Sequence, residues 1–159
     1  MKKDYEFIEG EVLLFNKPLH WTSFQLVNKV RWLIKRELQV KKIKVGHAGT
    51  LDPLATGMMI LCTGKKTKEI VLYQAAEKEY IATIKLGAIT PSYDGETAEN
   101  YFFATKHINE ALIKKALLNF LGAIEQEHYD EEWASYSSSF AISRCPLLLT
   151  VIIKLKKSK

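Results

Sequence analysis

The segment from Lys44 to Gly57, KVGHAGTLDPLATG, strongly restricts the conformations open to this chain. It carries a single carboxylate, Asp52, directly before Pro53. Three glycines surround that pair: Gly46, Gly49 and Gly57. Glycine serves where the backbone needs a positive φ or a close approach, and a following proline confines a residue to extended conformations. Since apolar, strand-like runs flank the segment, we predict a rigid loop that a scaffold presents to its surroundings.

A carboxylate held rigidly can act as a nucleophile, a general base or an electrostatic stabiliser. An aspartate before proline more often hydrogen-bonds the backbone of its own turn, and the residues alone favour this structural interpretation of Asp52. His47, beside a glycine, is open to the same two interpretations. The spacing of histidines, cysteines, acids and glycines fits no metal site, catalytic triad or phosphate-binding loop, so the residues alone indicate only a rigid loop with one carboxylate in a basic region.

The basic residues are concentrated around this loop. The chain has 159 residues, which suits one domain, and a net charge of +5. Only two acids lie between Lys29 and Lys68, against ten basic residues: Lys29, Arg31, Lys35, Arg36, Lys41, Lys42, Lys44, Lys65, Lys66 and Lys68. Such a region indicates a polyanionic partner, nucleic acid first. On charge alone, a solvated lysine-rich face is the simpler alternative.

The remaining composition indicates an ordinary globular protein. Apolar residues make up 47% of the chain, and no apolar run is long enough to span a bilayer. The first residues, MKKDYEFIEGEVLLF, lack the apolar region and cleavage site of a signal peptide. Cys62 and Cys145 have no metal-ligand spacing and are predicted to be reduced thiols. We therefore expect a cytoplasmic protein with no membrane contact.

Hydrophobic periodicity predicts alternating strands and separate helices. Predicted strands cover residues 11–18, 41–45, 58–64, 78–90, 101–107 and 146–159, and predicted helices cover 22–38, 66–76 and 109–122. Thr22 or Ser23 is the expected N-cap of the first helix, and Asn109 that of the third. After Gln126 the pattern weakens, with no clear period in EHYDEEWASYSSSF. The arrangement favours the α+β class over a parallel βαβ sheet.

The order of the loop residues adds information that their spacing does not. GHAGTLDPLATGMMILCTGKKTK closely resembles the signature of the bacterial TruB family of tRNA pseudouridine synthases. Three further segments resemble family motifs in the same order: LLFNKPLHWTS, KEYIATIKLGAITPSYDGE and FLGAIEQ. The resemblance covers residues 10–126, roughly three quarters of the chain.

The resemblance implies a pseudouridine synthase fold, with a mixed, largely antiparallel central sheet, flanking helices and an RNA cleft. It implies isomerisation of one T-loop uridine of tRNA (position 55) by a monomer without metal or organic cofactor. Asp52 matches the catalytic aspartate, and Tyr80 matches the tyrosine that stacks on the flipped base and assists proton removal. His47 matches the histidine that holds the opened T-loop. Lys17 and Pro18 match the family's lysine–proline motif. The lysines expected on RNA phosphates are Lys17, Lys41, Lys42, Lys44, Lys65 and Lys66, and the expected structural loop residues are Gly46, Gly49, Pro53 and Gly57.

The resemblance stops at Gln126. The family continues with a Pro-Pro pair, a Ser-Ala-x-Lys segment and an arginine that pairs with the catalytic aspartate, and Arg144 does not lie in that context. We therefore expect residues 1–126 to be the N-terminal part of the catalytic domain and 127–159 an atypical tail. On this hypothesis the chain is truncated or frame-shifted, which would leave the sheet incomplete and its apolar edges exposed. Three alternatives remain: an active synthase, a non-catalytic RNA-binding remnant, and a chain that does not fold stably alone.

Overall fold

The computed structural model describes residues 5–92, 94–126, 134–143 and 148–157, with side chains described up to residue 121. The chain divides into two compact units, residues 1–75 and 76–159. The predictions for Arg144 and Cys145 lie outside the described residues. Cys62 is a free, buried thiol.

The first unit contains a three-stranded antiparallel sheet that holds the Asp52 loop. Its strands are β1 (Val12–Lys17), β2 (Val45–His47) and β3 (Gly57–Thr63), in the order β1-β3-β2. Lys17 lies opposite Gly57 and His47 lies opposite Leu61. The connection between β2 and β3, residues 48–56, therefore leaves the sheet next to the end of β1.

Helix α1 (Ser23–Glu37) forms the core of this unit with the sheet. Thr22 caps it through a reciprocal capping box with Gln25, which confirms the predicted helix and selects Thr22 as the N-cap. The apolar residues of α1 recur at helical spacing, and the buried face that they form packs against Val45, Met59 and Leu61. That face consists of Leu26, Val27, Val30 and Ile34.

Two predictions for the first unit needed correction. The strand expected at residues 41–45 begins only at Val45, because β2 exists through its pairing with β3 and not through its own β propensity. The helix expected at 66–76 is a 3₁₀ segment, Gly64–Glu69, followed by the short α2 (Ile70–Gln74). Among the described residues, no helix is long and apolar enough to cross a bilayer.

The second unit combines one helix, α3 (Glu110–Leu117), with two antiparallel sheets. Asn109 caps α3 as predicted. The strands are β4 (Lys78–Lys85), β5 (Ala88–Ile89), β6 (Tyr101–Phe102), β7 (Gly122–Gln126), β8 (Ala134–Ser143) and β9 (Leu148–Lys157). β5 and β6 form a pair, and β6 is much shorter than the strand expected at 101–107. The α+β class is thus confirmed.

Residues after Gln126 supply strands to the larger sheet, whose order is β4-β9-β8-β7. β9 pairs with the whole of β4, from Lys78 opposite Leu155 to Lys85 opposite Leu148. β8 pairs with both β7 and β9. The strand expected near residues 146–159 is confirmed, whereas β8 was not predicted. β4 and β7 form the two edges of this sheet, and each pairs with one neighbouring strand.

Candidate active-site loop

The residue before Asp52 is fixed by a buried serine. The Ser23 hydroxyl donates to the Leu51 carbonyl at 2.9 Å and accepts from the Leu51 amide at 2.8 Å. Ser23 is 4% exposed and is the first residue of α1, so the helix itself positions this hydroxyl. Both backbone polar groups of Leu51 are therefore held by one side chain from a rigid element.

The residue after Asp52 is fixed from the other side. The Pro53 carbonyl accepts a hydrogen bond from the His20 amide at 2.8 Å and lies 3.5 Å from Lys17 Nζ. His20 has φ of 63°, a conformation that costs a non-glycine residue energy and so must be imposed by its surroundings. The Asp52 carbonyl accepts from the Ala55 amide at 3.0 Å, which closes the turn. The backbone that carries Asp52 is thus constrained on both sides.

Lys17 lies beneath this loop and not on its surface. The side chain has no exposed area, and its ammonium donates to the Trp21 carbonyl at 2.7 Å and the Pro18 carbonyl at 3.0 Å, besides its longer contact with Pro53. In this conformation Nζ cannot reach a phosphate. We infer from this burial a positioning role for Lys17, which holds the loop to the turn after β1, whereas the RNA contact predicted for Lys17 would require its side chain to leave this site.

The Asp52 side chain is exposed at the tip of the loop. His47 is part-buried at the loop's start, with Nδ1 2.8 Å from the Gly49 carbonyl. Because a carbonyl only accepts, Nδ1 carries the proton, which leaves Nε2 for another partner. Gly49 and Gly57 both have φ of 141°, and a Cβ on Gly46 would lie 2.7 Å from Ile70 Cδ1. The loop glycines thus serve backbone conformation and close packing.

The lysines around the loop fall into two groups. Lys41, Lys42 and Lys44 are exposed on the approach to β2. Lys65 forms an ion pair with Glu9, and Lys66 pairs with Glu69 at 2.8 Å. The hydrogen bond and charge of Glu69 raise the pKa of Lys66. Exposed Lys41, Lys42 and Lys44 are therefore more available to an external anion than the ion-paired Lys65 and Lys66.

Tyr80 belongs to the second unit, where it lies half-buried on β4 opposite Ile153. The described structure therefore brings Asp52, His47 and Lys17 together in one unit and places Tyr80 in the other. In the part of the chain that the structure describes, no group of histidines, cysteines and acids could hold a metal ion.

Ser23 was not predicted to be a site residue. Its only signal was its position beside Thr22, where it was considered as a helix cap. The contact with Leu51 spans 28 residues, and no local pattern reports such a distance.

Replacing Ser23 with alanine should lower the free energy of unfolding by about 2–4 kcal/mol, because it leaves the amide and carbonyl of Leu51 without their partner. Urea unfolding followed by circular dichroism measures this. Thr50→Val is the matched control, since it removes an exposed hydroxyl from the same loop and should change stability by less than about 0.5 kcal/mol. Equal effects of the two substitutions would contradict the role given to Ser23.

Comparison with known proteins identifies the family. The model for the TruB family pseudouridylate synthase N-terminal domain matches residues 35–129, which is more than half of the chain and includes the Asp52 loop and β4. The chain belongs to the TruB family. The resemblance read from its motifs is thereby confirmed.

Relatives of this TruB-family chain are named tRNA pseudouridine synthase B. The protein from Phocaeicola vulgatus is 62% identical over 120 residues, covering 76% of this chain and 51% of the relative. The protein from Bacteroides thetaiotaomicron is 61% identical over 120 residues, covering 76% and 50%. The chain therefore spans about half the length of these relatives.

The fold is also similar to that of a solved structure, the crystal structure of a Cbf5-Nop10-Gar1 complex. The TM-score is 0.68 at 20% sequence identity, and the match covers 97% of this chain and 41% of that one. At this identity the similarity concerns the fold alone, and it supports the pseudouridine synthase fold expected for the chain.

Proposed function

We propose that this chain carries the catalytic loop of a tRNA pseudouridine synthase, which converts a T-loop uridine, position 55 of tRNA, to pseudouridine. The observation that carries the proposal is the exposed Asp52 carboxylate on a backbone held at both Leu51 and Pro53. Membership of the TruB family and the names of the relatives support this reaction class. Since the chain spans half of those relatives, the activity of the chain itself is part of the proposal.

The reaction is an isomerisation, and its atoms balance without a co-reactant. The bond between uracil N1 and ribose C1′ breaks, the base rotates, and a bond forms between C5 and C1′. The proton on C5 leaves to solvent and N1 gains one. Because neither atom is accessible in a folded loop, the nucleotide must first be flipped into a pocket.

Asp52 acts at the ribose in this scheme, either by attack on C1′ or by removing a ribose proton. Both routes require the carboxylate at one fixed place beside the sugar. Rigid placement matters because a unimolecular rearrangement gains its rate from orientation, which can be worth several powers of ten. The Ser23 hydroxyl bonded to Leu51, and the Lys17 ammonium 3.5 Å from the Pro53 carbonyl, supply that rigidity through the backbone on either side of Asp52.

The roles of Tyr80, His47 and the lysines are those that the TruB family gives to the matching residues. Tyr80 stacks on the flipped base and assists removal of the C5 proton, and such stacking is typically worth about 1–3 kcal/mol per base. His47 holds the opened T-loop, and its free Nε2 is the atom available for that contact. The exposed Lys41, Lys42 and Lys44 bind phosphates. Ion-paired Lys65 and Lys66 take part by exchanging their carboxylate partners for phosphate.

The partner in this proposal is the T-stem-loop of tRNA, bound by a monomer in the cytoplasm. The net charge of +5 and the basic region around Asp52 support a polyanionic partner. Chemistry of this kind uses no metal or organic cofactor.

Tritium release tests the proposal, because forming the C5–C1′ bond expels the hydrogen from C5. The purified chain is incubated with tRNA transcripts made from 5-tritiated uridine, beside a transcript in which the target uridine is cytidine. We expect release approaching one tritium per tRNA from the first transcript and none from the second. Salt-sensitive tRNA binding by a folded chain without any release would reject catalysis and leave an RNA-binding remnant.

A further inference from the structure

The solvent face of α1 carries a stripe of two cations and one aromatic ring, Lys29, Trp32 and Arg36, called here the α1 stripe. The Lys29 ammonium lies 5.0 Å from the centroid of the Trp32 ring, and Arg36 Cζ lies 4.5 Å from it. Trp32 is 50% exposed, although a ring of this size usually finds cover in a folded protein. The spacing of three and four residues places all three side chains on one face.

The α1 stripe is not needed for the core. The helix packs through its opposite face, which includes Leu26, Val30 and Ile34. Within the described part of the chain, neither Lys29 nor Arg36 forms an ion pair with a carboxylate. The stripe therefore presents uncompensated positive charge around an exposed ring.

The α1 stripe also shares its helix with the Asp52 loop. α1 begins at Ser23, whose hydroxyl holds Leu51. At a rise of about 1.5 Å per residue, Lys29 lies roughly 9 Å and Arg36 roughly 20 Å along the axis from Ser23. Measured along the axis, the stripe thus leads away from the end of the helix that holds the loop, and it lies on the solvent face whereas Ser23 is buried. Exposed Lys41 and Lys42 follow shortly after the helix ends.

We propose that the α1 stripe is a second RNA-binding surface, which holds a strand of the tRNA outside the target nucleotide. This inference rests on the proposed function. Lys29 and Arg36 bind phosphates, and the Trp32 ring stacks on a base or ribose that is not paired in a helix. RNA is favoured over an acidic protein because the surface joins cations with an aromatic face on the element that leads to the loop. If the stripe only stabilised the helix, substitutions in it would change the free energy of unfolding and leave the affinity for RNA unchanged.

The charge part of the inference is tested by the dependence of tRNA binding on salt. The double variant Lys29→Gln/Arg36→Gln is compared with Lys106→Gln/Lys115→Gln, which removes the same charge from exposed positions of the second unit. The slope of log K against log salt is negative, and each lost phosphate contact reduces its magnitude by about 0.7–0.9. We expect this magnitude to fall by roughly 1.5 in the α1 variant and to stay near the wild-type value in the control. Equal slopes in both variants would overturn the inference.

The ring is tested separately by Trp32→Leu and Trp32→Phe. The leucine variant loses the aromatic face and should bind tRNA roughly tenfold or more weakly, whereas phenylalanine should restore most of the affinity. Urea unfolding of each variant ensures that binding is compared between folded proteins. Leucine and phenylalanine variants with the same affinity as the wild type would overturn the stacking role of Trp32.

The failure of this inference can be told from the failure of the proposed function. Wild-type protein that releases tritium, beside stripe variants with unchanged affinity and salt slope, would overturn the inference and leave the synthase proposal intact. Wild-type protein that neither binds tRNA nor releases tritium would overturn both.

Discussion

Asp52→Asn should abolish tritium release from tRNA, by about 10⁴-fold or more, the scale on which enzymes lose turnover when a reacting carboxylate, hydroxyl or imidazole is removed. Asparagine has the same shape but can neither attack C1′ nor accept a proton at neutral pH. Asp52 is exposed, and the bonds that hold its loop come from Ser23, His20 and Lys17 to the backbone of its neighbours. The variant should therefore fold normally and still bind tRNA.

Single-turnover tritium release with excess protein measures this effect without interference from product release. The matched control is Glu37→Gln, which removes one exposed negative charge from the same basic region and should keep the wild-type rate within about threefold. A rate for Asp52→Asn above one tenth of the wild-type value would exclude Asp52 as the reacting carboxylate. A collapse of tRNA binding in the same variant would show that the side chain acts in binding.

Lys17→Met should cost about 3–5 kcal/mol of unfolding free energy and most of the turnover. Methionine fills a similar volume but donates no hydrogen bond, so the carbonyls of Pro18 and Trp21 lose their partner in a site without solvent access to the side chain. Each such loss costs about 1–3 kcal/mol, more when the donor was charged. Turnover falls as well because the longer contact with Pro53 is lost from the Asp52 turn.

Urea unfolding followed by circular dichroism gives the stability change. Lys115→Met is the control, since this exposed lysine of α3 makes no ion pair among the described residues and methionine is an equally good helix former. It should alter stability by less than about 0.5 kcal/mol. If the two variants unfolded alike, the positioning role of Lys17 would be refuted, and an RNA contact would again be the better assignment.

Local pattern determined which elements could be predicted in advance. Helix α1 was predictable because its apolar residues follow the helical period and Thr22 with Gln25 makes a capping box. The Asp52 loop was predictable because glycine permits a positive φ and close approach, whereas proline fixes its own φ and restricts the residue before it.

The contacts that hold the loop could not be predicted in the same way. A lysine before proline looks like a surface residue, and the burial of Lys17 follows from three carbonyls that only the folded chain brings around it. Ser23 reaches Leu51 across 28 residues. β8 escaped prediction because its sequence, ASYSSSFAIS, has few large apolar residues, and the strand exists through pairing on both sides.

The order β4-β9-β8-β7 has a consequence for how the chain acquires its structure during synthesis. Residues 148–157 lie between β4 and β8, so the sheet of the second unit cannot close until that segment has been made. The first unit needs only the first 75 residues, and its hydrogen bonds to the loop span at most 36. Since contacts close in sequence form sooner, we expect the Asp52 loop to reach its final shape while β4 still waits for its partner strand. A ribosome-bound intermediate would then carry a folded aspartate loop and an incomplete sheet. The unpaired edge of β4 would be the place where this intermediate is most prone to pair with another chain.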